Sequence, residues 1–296
     1  MNVLLVLHPK RVEATTLAES ARAWWERRGH HVEVWDDSFP TEGPVDLAIS
    51  LGGDGTMLRT VQLALRTRAP VLGINLGRMG YLTEVEPSAM EQALERLLAG
   101  DYAVEERMVL DVEIDSGAPP PDQSAASDEH ETAPAAASPG LAPRPQPVRL
   151  LALNEVIVEK TAPGHTIHVA VAIGGRPFLT YVADGLLACT PTGSTAYNLS
   201  ARGPVVSPQL RAIVLTPVAP HLVFDRSLVL EPDERVEMTL LDGHEAAAVI
   251  DGSILVPLPA GARVACRGAE ETARLVTFGD VDFHSVLRAR FSLTDR

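Results

Sequence analysis

A glycine-rich turn at residues 51–56, with the sequence Leu-Gly-Gly-Asp-Gly-Thr, constrains the fold of this chain more than any other stretch. Before it, apolar residues from Val45 to Leu51 alternate with other residues, which is the pattern of a β-strand. After it, apolar residues recur at helical spacing from Met57 to Leu65. The turn therefore joins a strand to a helix.

The residue types in this turn indicate phosphate chemistry. Glycines let a phosphate approach the backbone closely, and the amide groups of a helix N-terminus favour an anion. Asp54 is the exception, because a carboxylate repels phosphate unless a divalent cation intervenes or unless it accepts a proton from a substrate hydroxyl. An alternative interpretation is that the glycines only make a tight turn and that Asp54 caps the helix. The turn has neither the lysine of a P-loop nor the glycine spacing of a dinucleotide fingerprint.

Composition excludes several classes of protein. A chain of 296 residues with 46% hydrophobic residues is long enough for two globular domains. Its formal net charge of −14 argues against binding nucleic acid or an anionic membrane. Cys189 and Cys266 lie far apart, so we expect two reduced, buried thiols rather than a disulfide framework or a zinc site. The sequence contains neither a secretory signal nor an apolar run of membrane-spanning length, which predicts a cytoplasmic protein.

Strand and helix patterns alternate through residues 1–103, which predicts a Rossmann-like α/β domain with a parallel sheet. A second glycine-rich stretch, residues 75–81, follows the strand predicted at 71–74. Because ligands bind at the carboxyl ends of parallel strands, we expect the two glycine turns to share one edge of the sheet. Ser88 and Glu91 have the spacing of a capping box, and Gly100 is positioned to end the helix that follows.

From Leu110 onward the apolar period changes to two, which predicts a β-rich domain over residues 104–274. We expect the segment 275–296 to return to the first domain. Residues 116–147 are dominated by proline, alanine, serine and acidic residues, a composition that predicts a disordered loop between two adjacent strands. A regulatory or partner-binding role for this insertion is left open.

The stretch from Asp184 to Ser200 contains an apolar strand end followed by the polar turn Thr-Pro-Thr-Gly-Ser-Thr-Ala-Tyr at residues 190–197. Ser194 or Thr195 is placed to cap a short helix, and such a helix start offers N–H and hydroxyl groups to a nucleotide. The alternative is a well-capped short helix without a ligand.

Taken in order, these motifs resemble those of the NAD kinase family: the Gly-Gly-Asp-Gly-Thr turn, Asn154-Glu155, Asp184-Gly185 and the turn at 190–197. Residues 75–81, residues 216–221 and Asp251-Gly252 also fit. The glycine turn also occurs in diacylglycerol-type lipid kinases and, in a variant form, in phosphofructokinases. Lipid kinases share only this first motif, so the Thr-Pro-Thr-Gly run is the specific part. The chain departs from the family pattern at Ser253, where glutamine is frequent, and in the long insertion.

The resemblance implies an active site in a cleft between the two domains, where the γ-phosphoryl group of ATP passes to the 2′-hydroxyl of the adenosine ribose of NAD. It also implies Mg²⁺ or another divalent cation on the phosphates, and a homodimer or homotetramer in which a neighbouring subunit completes the NAD site. By its place in the motif Asp54 is the general base, and no protein ligand is assigned to the metal. The residues that the resemblance assigns to substrate binding are Asp54, Gly55, Arg59, Asn154, Glu155, Asp184, Thr192, Thr195, Ala196, Tyr197, Asn198, Leu199 and Ser200.

Alternatives stay open for two of these residues and for the activity. Arg59 is either a phosphate contact or a solvated helix charge, and Glu155 is either a ligand of NAD or an exposed strand residue. A lipid or sugar kinase with the same glycine turn would be indifferent to NAD. A non-catalytic regulator would bind NAD without turnover.

Overall fold

The computed structural model describes residues 1–35, 43–77, 80–116, 147–221, 223–241, 245–279 and 282–292. The predicted disordered insertion at 116–147 therefore lies, apart from its two end residues, outside the described residues. The strands on either side of it, which end at Asp115 and begin at Val148, pair antiparallel as neighbours.

The first part of the chain alternates strands and helices. Its elements are β1 Asn2–Leu7, α1 Val12–Glu26, β2 His31–Trp35, β3 Leu47–Gly52, α2 Asp54–Thr67, β4 Val71–Asn75 and α3 Met90–Ala99. The strands pair in parallel in the order β2, β1, β3, β4. The predicted Rossmann-like parallel sheet is confirmed.

Both faces of this sheet are covered. Trp25 of α1 and Leu94 of α3 pack on one face with Leu5 and Ile49, whereas α2 covers the other face. Consequently Ser50, which the alternating pattern suggests as an outward position, is fully buried. A central parallel strand needs apolar or small residues on both faces, and this explains why the small residues Ala48 and Ser50 are as buried as the large apolar residues between which they alternate.

The predicted capping box at Ser88 and Glu91 is wrong. Ser88 lies inside a 3₁₀ turn, Pro87–Ala89, and α3 begins after it with Ala89 as an N-cap that makes no side-chain hydrogen bond. Pro87 presets the backbone angle of the first position of that turn, so the chain enters α3 from a tight turn rather than from a capped extended residue. Gly100, with φ +73°, follows the helix as predicted.

The rest of the chain is mainly β. Its elements are β5 Ala103–Asp115, β6 Val148–Ala152, β7 Glu155–Lys160, β8 Ile167–Ile173, β9 Arg176–Ala183, β10 Gly185–Cys189, α4 Tyr197–Ser200, β11 Ile213–Val218, β12 Leu228–Leu230, β13 Val236–Leu240, β14 Ala246–Ile250, β15 Ile254–Leu258, β16 Arg263–Thr277 and α5 Phe283–Phe291. One apolar cluster contains side chains from two sheets, for example Leu110 and Val236 from one and Val158 and Leu186 from the other. The combination of an α/β part and a β-rich part confirms the predicted fold class.

Strand β16 connects the two parts. It pairs antiparallel with β13 and β5, and near its end Leu275 pairs in parallel with Val71 of β4. Within the described residues a single ten-stranded sheet therefore runs from β2 to β9, and a six-stranded sheet has the order β12, β11, β10, β7, β14, β15. The exact domain bounds stay a prediction.

The C-terminal helix α5 lies close to Tyr81, at the end of the second glycine-rich stretch. Asp282 caps the helix through hydrogen bonds from the backbone N–H groups of His284 and Ser285. The Arg290 guanidinium carbon lies 5.0 Å from the centre of the Tyr81 ring. Cys189 and Cys266 are buried free thiols, as predicted. In the described part of the chain, no helix has the length and apolar character needed to span a membrane.

Candidate active site

The two glycine turns meet at one edge of the parallel sheet. Gly52 is the register partner of Asn75, and the Leu76 N–H group donates a hydrogen bond to the Gly52 carbonyl at 3.0 Å. The expectation that both turns share the carboxyl edge is therefore confirmed.

Asp54 is the first residue of α2, and the loop after β4 holds its carboxylate. The Tyr81 N–H group donates to Oδ2 at 3.1 Å and the Leu82 N–H group donates to Oδ1 at 3.3 Å. A Cβ atom added to Gly80 would overlap the same carboxylate, so this loop approaches Asp54 as closely as glycine allows. The N-cap of α2 is Gly53, which excludes the alternative that Asp54 serves as the cap.

Asn154 and Glu155 lie at the start of β7, directly beneath the turn at residues 190–195. The Thr190 N–H group donates to the Asn154 carbonyl at 2.8 Å. A Cβ atom on Gly193 would lie 2.7 Å from Asn154 Cα, so only glycine lets the turn pack against this backbone. Glu155 is 6% exposed, and the alternative that it is an exposed strand residue is therefore wrong.

The Glu155 carboxyl group is unusual in its electrostatics. Its Oε2 atom is buried with no hydrogen-bond partner among the described residues. Burial raises the pKa of Glu155 to about 8, the nearby Asp251 charge adds to that rise, and the Tyr197 backbone N–H group opposes it. Glu155 is therefore mostly neutral at pH 7 in the unliganded protein, and a neutral carboxyl can donate a hydrogen bond as well as accept one.

A pH dependence of stability follows from this shift. Because the folded-state pKa of Glu155 lies above its ordinary value of 4.5, the folded protein binds more protons between pH 4.5 and 8. Its contribution to the free energy of unfolding is present below pH 4.5 and is lost as the pH rises towards 8. We expect Glu155→Gln to stabilise the protein increasingly with pH, by an amount on the order of a few kcal/mol at pH 8.5.

Urea unfolding of wild type and Glu155→Gln at pH 5.5, 7.0 and 8.5 measures this effect. Glu91→Gln, at an exposed position on α3, is the matched control and should track the wild type. A difference between Glu155→Gln and wild type that is the same at all three pH values would contradict the assignment of the shift to Glu155.

Ser194 and Thr195, in the turn from Thr192 to Ser200, use their hydroxyl groups in hydrogen bonds within the protein. Ser194 exchanges two hydrogen bonds with the Val206 backbone, and Thr195 Oγ1 donates to the Thr192 carbonyl. The predicted cap by Ser194 or Thr195 is therefore wrong: Ala196 precedes α4 and makes no side-chain cap. The reason is that the Ser194 hydroxyl is bonded to the Val206 backbone and the Thr195 hydroxyl to the Thr192 carbonyl.

Asn198 also points inward. Its Nδ2 group donates to the Ser194 and Pro204 carbonyls, and its Oδ1 atom accepts from Thr216 Oγ1 at 2.7 Å. The Asn198 side chain therefore holds the turn in place through these hydrogen bonds. Tyr197 and Ser200 of the same helix are exposed, so they are the residues of α4 available to a ligand.

Asp184 and Arg59 each have a partner within the chain. Asp184 Oδ1 lies 2.6 Å from Lys160 Nζ. Burial raises the pKa of Tyr197, and the negative charges of three carboxylates, one of them Asp184, raise it further. Asp184 is thus close to the exposed end of α4. The Arg59 guanidinium carbon lies 5.5 Å from the centre of the Trp35 ring, a cation–π arrangement.

Comparison with known proteins identifies the family. A sequence model of the ATP-NAD kinase N-terminal domain matches residues 35–102, and one of the ATP-NAD kinase C-terminal domain matches residues 153–278. This chain belongs to the NAD kinase family. The similarity to NAD kinase 1 of Streptomyces avermitilis is 38% identity over 98% of this chain and 87% of that protein. The NAD kinase of Heliobacterium modesticaldum is 41% identical over 83% of this chain and 78% of its own length.

Solved NAD kinase structures share the fold. The NAD kinase of Archaeoglobus fulgidus, in complex with ATP, superposes with a TM-score of 0.73 at 25% identity and covers 99% of this chain and 100% of its own. Yeast NADH kinase complexed with NADH superposes with a TM-score of 0.81 at 20% identity, covering 100% of this chain and 88% of its own. The NAD kinase family, the predicted fold class and the assignment as a kinase are thereby confirmed.

Two residues that organise this region were not among the predicted site residues. Asp251 accepts hydrogen bonds from the backbone N–H groups of three successive residues, Leu153, Asn154 and Glu155, at 2.8–3.2 Å. Gln62 of α2 donates to the same carboxylate at 3.0 Å. The Asp-Gly pair after an apolar strand was a visible signal for Asp251, but no sequence feature distinguishes Gln62 from a solvated helix residue.

Proposed function

We propose that this enzyme transfers the γ-phosphoryl group of ATP to the 2′-hydroxyl of the adenosine ribose of NAD, with Asp54 as the general base. The observation that carries the proposal is the setting of the Asp54 carboxylate. It lies at the first position of α2, at the carboxyl edge of the parallel sheet, and two backbone N–H groups orient it. A base must be positioned within hydrogen-bond reach of the hydroxyl that it deprotonates, and an oriented carboxylate meets that need.

The N-terminal end of α2 is also suited to bind the donor phosphates. Gly53 makes no side-chain cap, so the first N–H groups of the helix are available to an anion and the helix dipole favours one there. Gly55 is exposed, and a Cβ atom added to it would meet nothing within 4 Å, which leaves room for a substrate beside Asp54.

A magnesium ion fits this arrangement without a full set of protein ligands around it. Among the described residues, no group of three or more histidine, cysteine or acidic residues is placed to hold a metal. Mg²⁺ in phosphoryl-transfer sites is commonly held by one or two carboxylates and by the substrate phosphates. The donor phosphates would be the main ligands of such an ion, which when bound would neutralise part of their charge, and Asp54 keeps the role of base.

The NAD acceptor is assigned to the region of Asn154, Glu155 and the turn at 190–200. Glu155 is buried and mostly neutral, so its carboxyl can both donate to and accept from a ribose hydroxyl. We assign direct contacts to Tyr197 and Ser200, which are exposed, and a supporting role to Asn198, whose side chain is bonded within the turn.

The test is NADP formation by purified protein supplied with ATP, NAD and magnesium, repeated with the metal chelated and with NADH in place of NAD. NADP production that stops on chelation is the expected result. Saturable NAD binding by calorimetry without turnover would replace the kinase proposal with a non-catalytic regulator. Activity on a lipid or a sugar, with no response to NAD, would indicate the rival kinases.

Assembly into a homodimer or homotetramer and a cytoplasmic location are part of the same proposal. Exposed aromatic side chains on β9 and on the loop after β11, Phe178 and Phe224, contact each other edge to face. We assign this exposed apolar pair to the contact between subunits. Sedimentation of the purified protein measures the number of subunits.

A further inference from the structure

Residue Asp251 fixes the backbone that presents Asn154 and Glu155. Its carboxylate, 5% exposed, accepts three successive backbone N–H bonds from Leu153 to Glu155, and its own N–H group donates to the Glu155 carbonyl at 3.0 Å. Asp251 adopts a left-handed conformation with φ +49°, which is uncommon for a residue with a side chain. The surrounding hydrogen bonds therefore hold this carboxylate in a specific place.

The fourth donor to Asp251 comes from the other part of the fold. Gln62 Nε2 donates to Asp251 Oδ2 at 3.0 Å and to the Leu151 carbonyl at 2.6 Å. Gln62 lies on α2, the helix that begins with Asp54, and at 1.5 Å per residue it is about 12 Å along the axis from Asp54. A helix of this length is stiff, so a bond at Gln62 constrains the position of Asp54.

Apolar packing supports the same contact. Met57, Val61 and Leu63 of α2 belong to one buried cluster with Leu153, and Leu151 packs against that cluster. This packing presses α2 against the segment 151–153 but leaves sliding of the helix weakly restrained, because apolar contacts are not directional. The paired hydrogen bonds from Gln62 supply the directional restraint.

We propose that Gln62 is a positioning residue that, through Asp251, sets the distance between the base on α2 and the segment that presents Asn154 and Glu155. The inference rests on the proposed function, because it concerns the alignment of the acceptor hydroxyl with Asp54. In this proposal Gln62 connects the two halves of the site without contacting either substrate.

The test replaces Gln62 with leucine, which has a similar volume and no donor. We expect kcat to fall by roughly 10- to 100-fold, since small misplacements of reacting groups cost about that much. The KM for NAD should change by less than about threefold, because Asp251 keeps its three backbone bonds and a loss confined to the transition state appears in kcat. Gln62→Arg, which retains N–H donors for both acceptors, should restore kcat to within about threefold of wild type.

Gln92→Leu, at an exposed position on α3, is the matched control and should leave kcat and KM unchanged. Wild-type kcat in folded Gln62→Leu, an effect on KM alone, or equal losses in the leucine and arginine variants would each overturn the positioning role. If Gln62→Leu does not fold, Gln62→Met, which keeps the length of the side chain but has no donor, takes its place with the same expectations. Failure of the wild type to form NADP would instead contradict the proposed function.

Discussion

Replacing Asp54 with asparagine is expected to slow NADP formation by roughly 10²- to 10⁴-fold, the usual contribution of a general base. Asparagine has nearly the same shape but cannot accept the proton of the ribose hydroxyl. It retains one oxygen, which can accept from either Tyr81 or Leu82, whereas its amide nitrogen would face the other N–H group. A modest loss of thermal stability should therefore accompany the kinetic effect.

Steady-state kinetics with NAD and ATP, together with calorimetric NAD binding, separate catalysis from affinity. Asp101→Asn, which removes a surface carboxylate paired with Arg96, is the matched control and should retain full activity. NAD should bind to Asp54→Asn with nearly the wild-type affinity if Asn154, Glu155 and the turn at 190–200 hold it. Full activity in Asp54→Asn would remove this residue from the role of base.

The parallel sheet could be predicted because its elements repeat a simple local pattern. Each strand of the first domain is a short apolar run, and each helix has an apolar stripe such as Leu17, Ala21 and Trp24. The alternation of strand and helix patterns was therefore sufficient to predict the sheet. The meeting of the two glycine turns follows from the same topology, because parallel neighbours place their carboxyl ends together. These are consequences of local sequence and chain connectivity.

The capping predictions failed because short polar side chains have several possible partners. Ser194 was positioned to cap a helix, but its hydroxyl bonds the Val206 backbone, twelve residues further along the chain. Ser88 was displaced from the cap by the preceding Pro87, which favours a 3₁₀ turn. Spacing alone cannot choose between a local acceptor and one that folding brings in from elsewhere.

Tertiary contacts account for the remaining omissions in the site. The raised pKa of Glu155 depends on burial and on Asp251, which is far away in sequence. Likewise, Gln62 and Asp251 are separated by 189 positions. In the sequence of α2, Gln62 looks like a solvent-facing polar residue, as Arg59 and Arg66 do. Only the packed structure distinguishes it from its neighbours.

A single methyl group on Gly80 should be almost as damaging as the loss of the Asp54 carboxylate. The added Cβ atom would overlap that carboxylate, which two N–H groups of the adjoining residues hold in place, so either Asp54 or the loop must move. We expect Gly80→Ala to lower kcat by roughly 10²-fold, as displacements of about 1 Å do. Gly43→Ala, at an exposed position where an added Cβ meets nothing within 4 Å, is the control and should be active.

The double variant Gly80→Ala with Asp54→Asn shows whether the methyl group acts through Asp54. If displacement of the carboxylate is the cause, the double variant should be no slower than Asp54→Asn alone, because residues that act as a unit are not additive. If the double variant instead loses kcat by the product of the two single losses, the methyl group on Gly80 acts independently of Asp54, by obstructing the substrate. An unchanged kcat in Gly80→Ala would mean that the loop gives way without moving the base, and the close approach at Gly80 would then have no catalytic consequence.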